Sequence, residues 1–324
     1  MRCGDSRLGR GSSKYCGLIN CIYVYLGLSI NFRELTYQIN MELDNKIHYI
    51  STILYVKSKN GLSQGTGFFY SVIDQTTRIN ETLVEHRIVS LHLITNKHVL
   101  LGKYNSQEIP DTLIFRIKFF NQNSGKITVE NVEIDRNTII DSTKLHKKNE
   151  VDIVSIDITN IMSNHLDKNP DLMWSAISKD DFPTKDSNIE ITDSIITIGY
   201  PKGFYDEFNQ FPIVKSGIIS SKWNANFNDN NFFLIDSKLF PGSSGSLVIT
   251  KPSHLYNKGG KLVHSTIKKF EFIGVYSGQY EFSNPINFDG KLIPMSESYN
   301  LGIVWYYYLV DEIIEKGILL KKIC

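Results

Sequence analysis

The sequence predicts an all-β fold, a sandwich or barrels, with one helix near the carboxy terminus. Three observations carry that prediction. Short runs rich in β-branched and aromatic residues recur from about residue 46, separated by loops of Asn, Asp, Ser and Gly. One of them, Thr112 to Phe120, alternates cleanly, with Ile114, Arg116 and Lys118 on one face and Phe115, Ile117 and Phe119 on the other. A single late segment carries helical spacing instead. Many short strands joined by turns mean a sandwich or barrels, not an α/β sheet.

The first residues stand apart from this texture. Arg2, Arg7, Arg10 and Lys14 precede an apolar stretch, Gly17 to Ile30, that contains Asn20. It falls short of the roughly 20 apolar residues that a spanning helix needs. Three readings stay open: an export signal, although no small-x-small cleavage site follows; an extension that packs on the body or is poorly ordered; or translation starting at Met41.

Strand candidates then follow in order. They are Ile47 to Val56, Gly65 to Tyr70, Arg87 to Thr95, Thr112 to Phe120, Lys126 to Ile134 and Val151 to Ile158. After a polar, Pro-containing break at Asn160 to Ser187 come Ser194 to Gly199, Val214 to Ser220, Phe232 to Asp236, Ser246 to Ile249 and Phe270 to Tyr276. The helix is expected over Val304 to Lys316. Trp305, Leu309, Ile313 and Lys316 form one stripe and Tyr306, Val310 and Ile314 the next, a pattern expected to pack on the core. Gly317 suits a left-handed stop.

Composition narrows the function. With 35 Lys+Arg against 34 Asp+Glu the net charge is +1, which argues against a broad basic face for nucleic acid or anionic lipid. Cys3, Cys16, Cys21 and Cys324 leave residues 22–323 free of cysteine. The body is therefore expected to lack a disulfide framework and a cysteine metal site. No ligand cluster points to a metal, and no cofactor is called for. A cytoplasmic location is expected, with export or tethering through residues 17–30 as the alternative.

The strongest chemical signal is Phe240-Pro-Gly-Ser-Ser-Gly-Ser-Leu-Val248. Glycine permits a tight turn in which consecutive backbone N–H groups point one way. A serine there can act as a nucleophile whose developing oxyanion sits on those N–H groups. Such a serine needs a base. Of His48, His86, His92, His98, His146, His165, His254 and His264, His98 stands out, because Leu93-Ile-Thr-Asn-Lys-His-Val-Leu100 sets it just past an apolar strand. The base needs a carboxylate to fix its tautomer. Asp152 opens the apolar strand in Glu150-Val-Asp-Ile-Val-Ser-Ile-Asp157.

Taken together, these segments resemble the trypsin-like (chymotrypsin-fold) serine peptidases. The chain order His, Asp, Ser matches, with 54 residues from His98 to Asp152 and 92 from Asp152 to Ser244. The likeness is greatest to bacterial Deg-type peptidase domains. Gly65-Thr-Gly-Phe68, Thr95-Asn-Lys-His-Val99, Ile198-Gly-Tyr-Pro-Lys-Gly203, Ser216-Gly-Ile-Ile-Ser220, Ile235-Asp236 and Phe272-Ile-Gly-Val-Tyr-Ser-Gly278 each look like a piece of that branch, in the right order. The resemblance covers about residues 45–318. Lys, Asn and Ile usage is compatible with an AT-rich bacterial genome.

The resemblance implies two six-stranded antiparallel β-barrels and a C-terminal helix. Residues 1–44 would be an extension, 45–165 the first barrel with His98 and Asp152, 166–190 a linker, 191–303 the second barrel with Ser244, and 304–324 helix and tail. It implies a serine endopeptidase acting on polypeptide, with Ser244 as nucleophile, His98 as base and then acid, Asp152 as orienting acid, and the N–H groups of Gly242 and Ser244 as oxyanion hole. Tyr276, Ser277 and Gly278 would flank substrate. Lys238, six before the nucleophile, would reach the floor of the primary pocket, where an ammonium favours an acidic side chain. Two positions depart from the pattern. Ser243 stands where digestive enzymes carry an Asp that pairs with a new amino terminus, so that switch is not expected. Ser246 stands where Gly is usual. The chain ends at Cys324, so the PDZ domain common to Deg-type proteases is not expected. A catalytically inactive binding module on the same fold, or a regulatory or defence protease with one target, are the alternatives.

Overall fold

A computed structural model describes residues 35–38 and 43–323, apart from 60, 79–83, 103–107, 122–125, 169–171 and 289–290. The stretch 17–30, Met41 and all four cysteines lie outside the described residues.

The first half comprises β1 (Leu35–Gln38), α1 (Leu43–Tyr49), β2 (Ser51–Ser58), β3 (Gly61–Arg78), β4 (Val84–Thr95), α2 (Lys97–Leu101), β5 (Thr112–Asn121), β6 (Lys126–Asp135), α3 (Arg136–Ser142), β7 (Thr143–Leu145), β8 (Val154–Asp157), α4 (Thr159–Lys168) and β9 (Leu172–Met173). The second comprises β10 (Ser194–Gly199), β11 (Ile213–Ile219), β12 (Phe232–Asp236), β13 (Leu247–Thr250), the hairpin β14 (Ser253–Lys258) and β15 (Lys261–Lys269), β16 (Phe272–Phe288), β17 (Lys291–Tyr306), α5 (Tyr308–Lys316) and β18 (Ile318–Leu319).

The second half meets the expectation of a six-stranded barrel, closed in the order β10-β11-β12-β17-β16-β13. The first half does not. Its strands run β18-β7-β8-β4-β3-β2-β5-β6, with β1 beside β4 and β9 beside β5, a ten-stranded sheet whose hydrogen bonds do not close among the described residues. The sequence between β6 and β7 folds as α3, capped by the Asp135 carboxylate on Thr138 N–H. Its fully buried Ile139 joins the core under that sheet. The free edge of β7 pairs instead with the two-residue β18.

Burial follows the period-2 pattern. Phe115, Ile117 and Phe119 of β5 are fully inside, joined by Leu54, Phe69, Leu91, Leu93 and Ile156 in one core. A second core fills the barrel around Ile195, Phe233, Ile235, Val248 and Val304. A third joins the halves: Phe68, Tyr70, Ile94 and Ile153 from the sheet meet Leu247, Phe272 and Val275 from the barrel. Burying each such side chain is worth about 1.5–3 kcal/mol, so this shared core fixes how the segments bearing His98, Asp152 and Ser244 face one another.

Three local expectations need correction. The helix starts at Tyr308, not Val304, because Trp305 and Tyr306 are still strand, paired with Val275 and Gly274. Its stripe of Leu309, Val310, Ile313 and Ile314 is buried as expected. Gly317 has φ −64°, so it is not a left-handed cap. Glycine is needed there for space, since a Cβ would lie 2.3 Å from the Ile313 carbonyl oxygen and 2.8 Å from that of Leu145. The segment read as a linker is also built into the fold: Trp174, Ala176 and Ile177 are buried, and Ile177 bonds through its backbone to Phe69 and Ser71.

Candidate active site

His98 sits in the short helix α2, directly after β4. The helix is held by the buried side chains Val99, Leu100 and Leu101. The turn is clamped onto the strand entry opposite. Asn96 Nδ2 donates to the Asp152 carbonyl at 2.7 Å, and Lys97 Nζ donates to the Asn149 carbonyl at 3.0 Å. These contacts bring the Asp152 carboxylate onto His98, which donates its backbone N–H to Oδ1 at 2.9 Å and pairs through Nδ1 with Oδ2 at 2.6 Å. Both side chains are about one-quarter exposed, 24% and 21%. A carboxylate only accepts, so this pairing puts the proton on Nδ1 and leaves Nε2 free to accept.

Ser244 lies in the loop between Phe240 and Leu247. The loop turns tightly at Gly242 (φ +89°) and Gly245 (φ +85°), where a Cβ at Gly245 would stand 2.0 Å from the Thr66 carbonyl oxygen. Within it, Ser243 N–H is spent on the Phe240 carbonyl and Gly245 N–H on the Tyr276 carbonyl. The N–H groups of Gly242 and Ser244 have no acceptor among the described residues.

The three residues meet through a fourth. Ser277 Oγ donates to Asp152 Oδ2 at 2.5 Å, and the Ser277 carbonyl accepts the Ser244 hydroxyl at 2.8 Å. His98 and Asp152 are thus bonded directly, and Ser244 joins them by way of Ser277. The arrangement presents a hydroxyl, an imidazole oriented by a carboxylate, and two backbone N–H groups unspent among the described residues.

His92, His146, His165, His254 and His264 stay out of this constellation. His92 lies between Ser90 Oγ (2.8 Å) and Ser155 Oγ (3.0 Å), and burial pushes its pKa down to about 4. His146 pairs with Glu312, His165 with Glu130, and His254 stacks on His264. Two specificity expectations also need correction. Tyr276 is buried in the barrel core, its phenol pushed up by burial, and its backbone is taken by Gly245 and Ser246, so its side chain is not offered to substrate. Lys238 is exposed rather than buried in a pocket floor. Its Nζ lies 6.0 Å from the Phe240 ring centre, joined there by Lys202 at 5.2 Å and Lys215 at 5.1 Å. At Gly278 the pairing of β16 with β17 is irregular, and no atom stands within 4 Å of where its Cβ would be. A groove of about 560 Å³ between Lys179–Thr184 and α5 contains none of these residues.

This mostly β chymotrypsin-like architecture is that of a peptidase fold. The family model for the trypsin-like peptidase domain matches residues 65–255, and the chain belongs to that family. Among solved structures it is similar to Rv3671c from M. tuberculosis H37Rv, in an inactive mutant form, at 12% identity, covering 85% of this chain and 92% of that one with a TM-score of 0.40. It is also similar to the protease Anisep from Arthrobacter nicotinovorans (12% identity, 82% and 94% covered, TM-score 0.43). A third is tobacco etch virus protease complexed with product (13% identity, 84% and 79% covered, TM-score 0.41). No curated protein matches the sequence. No helix among the described residues is long and apolar enough to cross a membrane.

Proposed function

We propose that this protein is a serine endopeptidase that cleaves polypeptide through an acyl-enzyme. The observation that carries the reading is the bonded His98–Asp152 pair linked through Ser277 to Ser244, beside the unspent N–H groups of Gly242 and Ser244. In the first step Ser244 Oγ attacks the scissile carbonyl carbon and its proton passes to His98 Nε2. Asp152 stabilises the imidazolium through Nδ1–H, and the N–H groups of Gly242 and Ser244 receive the oxyanion. The C–N bond breaks as His98 returns the proton to the leaving amine. Water, deprotonated by His98, then cleaves the ester and regenerates Ser244. The closed barrel and the ten-stranded sheet share one cleft, and the cysteine-free body suits the cytoplasm.

Lys202, Lys215 and Lys238 surround Phe240 two residues before Gly242, and none of them is ion-paired among the described residues. They favour substrates with carboxylates near the scissile bond. A peptide-library profile without Asp or Glu enrichment would remove this preference and leave the peptidase reading intact.

The test is wild type against Ser244→Ala on an unfolded protein substrate, with labelling by a fluorophosphonate. The reading expects labelling and turnover in wild type only, with turnover lost by several orders of magnitude. Equal rates, or no labelling of wild type, would make the protein a binding module on this fold.

A further inference from the structure

We infer that Thr66 is the positioning residue that sets the oxyanion loop, in place of the buried ion pair that Ser243 cannot make. The inference rests on the peptidase reading above. Thr66 lies on β3, fully buried, in the half of the molecule opposite Ser244. Its backbone N–H donates to the Ser244 carbonyl at 2.8 Å, and its hydroxyl donates to the Gly242 carbonyl at 2.9 Å. The same hydroxyl oxygen accepts the Tyr200 N–H at 3.0 Å. Its carbonyl accepts the Thr95 hydroxyl at 2.7 Å, three residues before His98.

The geometry follows from peptide planarity. In a trans peptide the C=O and N–H point in opposite directions. Ser244 N–H belongs to the peptide between residues 243 and 244. The peptides on either side carry the Gly242 and Ser244 carbonyls, and both carbonyls are tied to Thr66. Gly242 N–H belongs to the peptide whose carbonyl, that of Pro241, accepts Lys202 N–H at 2.6 Å, and so it faces the other way. Lys202 is held in turn by the Tyr200 turn, whose N–H is fixed on the Thr66 hydroxyl. One hydroxyl thus bridges the two segments that orient both N–H groups, and the Thr95 bond ties them to the turn bearing His98. The contact is tight: a Cβ at Gly245 would strike the Thr66 carbonyl, and one at Gly242 would come within 2.8 Å of the Tyr200 carbonyl oxygen.

The chemistry asks for a hydroxyl that donates and accepts at once. Thr66→Val keeps the shape and removes both functions. We expect kcat per titrated active site to fall about ten- to a hundred-fold, with KM changed less than about three-fold. Binding of a peptide aldehyde, whose adduct carries an oxyanion, should weaken by the same factor as kcat/KM. Thr66→Ser, which keeps the hydroxyl, should recover most of the loss. A purely structural role would lower the melting temperature and the titratable fraction, leaving kcat per site and aldehyde affinity unmoved. If Thr66→Val does not fold, Thr66→Ala against Thr66→Ser, which differ by one oxygen atom, carries the same comparison. Wild-type kcat per site in the variant lacking the hydroxyl, with wild type active and Ser244→Ala dead, overturns this inference alone. A wild type without Ser244-dependent turnover overturns the peptidase reading and this inference with it.

Discussion

Replacing Lys118 by Met should change how stability depends on pH. Lys118 is 1% exposed on β5 and pairs with no carboxylate among the described residues. Its ammonium donates to Tyr200 Oη at 2.7 Å and to the Gln210 carbonyl at 3.3 Å. Burial, helped by the Arg116 charge, lowers its pKa from 10.5 to about 7. Below pH 7 the lysine is protonated in both folded and unfolded chains, and the fold bears the full cost of the buried charge. Between pH 7 and 10.5 the unfolded chain holds a proton that the fold has released, so stability rises with pH at up to about 1.36 kcal/mol per unit. Over the whole window that is about 5 kcal/mol, and from pH 7 to 9 about 3 kcal/mol. At roughly 2–4 °C per kcal/mol for a body of this size, the wild-type melting temperature should climb about 6–12 °C relative to Lys118→Met between those two values. The assay is thermal unfolding of both proteins at half-unit steps from pH 6 to 9.5. Using the difference removes every other titrating group. Parallel curves would refute the reasoning, because they would mean that Lys118 keeps its proton in the fold.

Three further outcomes follow from the geometry. Asp152→Asn removes the acceptor for His98 Nδ1–H, so kcat should fall about 10³–10⁴-fold with little change in KM, measured by steady-state peptide hydrolysis. Gly245→Ala sets a Cβ 2.0 Å from the Thr66 carbonyl oxygen at φ +85°, which should cost about 3 kcal/mol or more in urea unfolding. His92, whose folded pKa is held near 4, binds a proton in the unfolded chain first. Wild type should therefore lose about 3 kcal/mol relative to His92→Gln as pH falls from 6.5 to 4, measured by urea midpoints.

What could be read of the fold from sequence was what local periodicity carries. β5 and β6 fall almost where alternation puts them, because one face of each packs on a core. β17 was missed, since its first half, from Lys291, carries Pro and polar residues and no alternation, and it is strand because β16 pairs with it along its length. The same pairing took Trp305 and Tyr306 from the helix. Their spacing fits the helical stripe, but Trp305 also packs at 5.4 Å on the Phe232 ring across β12, and tertiary contact decided between two local readings. The open first sheet was illegible for a related reason. Its ends carry α3 and β18, seven and two residues long, whose signals are too short to read.

The candidate site divides along a similar line. His98, Asp152 and Ser244 were legible because each lies in a short segment with its own character: a histidine past an apolar strand, an acid opening one, and a serine between glycines. What makes them one site was not. The Thr66 hydroxyl and the Gly242 carbonyl are 176 residues apart, and Ser277 meets Asp152 over 125. No local pattern distinguishes a threonine that reaches across two sheets from one that merely favours a strand. Ser243 does carry the signal, read in reverse. Without a carboxylate at that position the loop has no charge to hold it, and a loop with two positive-φ glycines and unspent N–H groups keeps one shape only if neutral bonds from elsewhere fix it. The absence of the ion pair therefore predicts that such an anchor exists, while its identity could be read only once β3 and the nucleophile loop stood side by side.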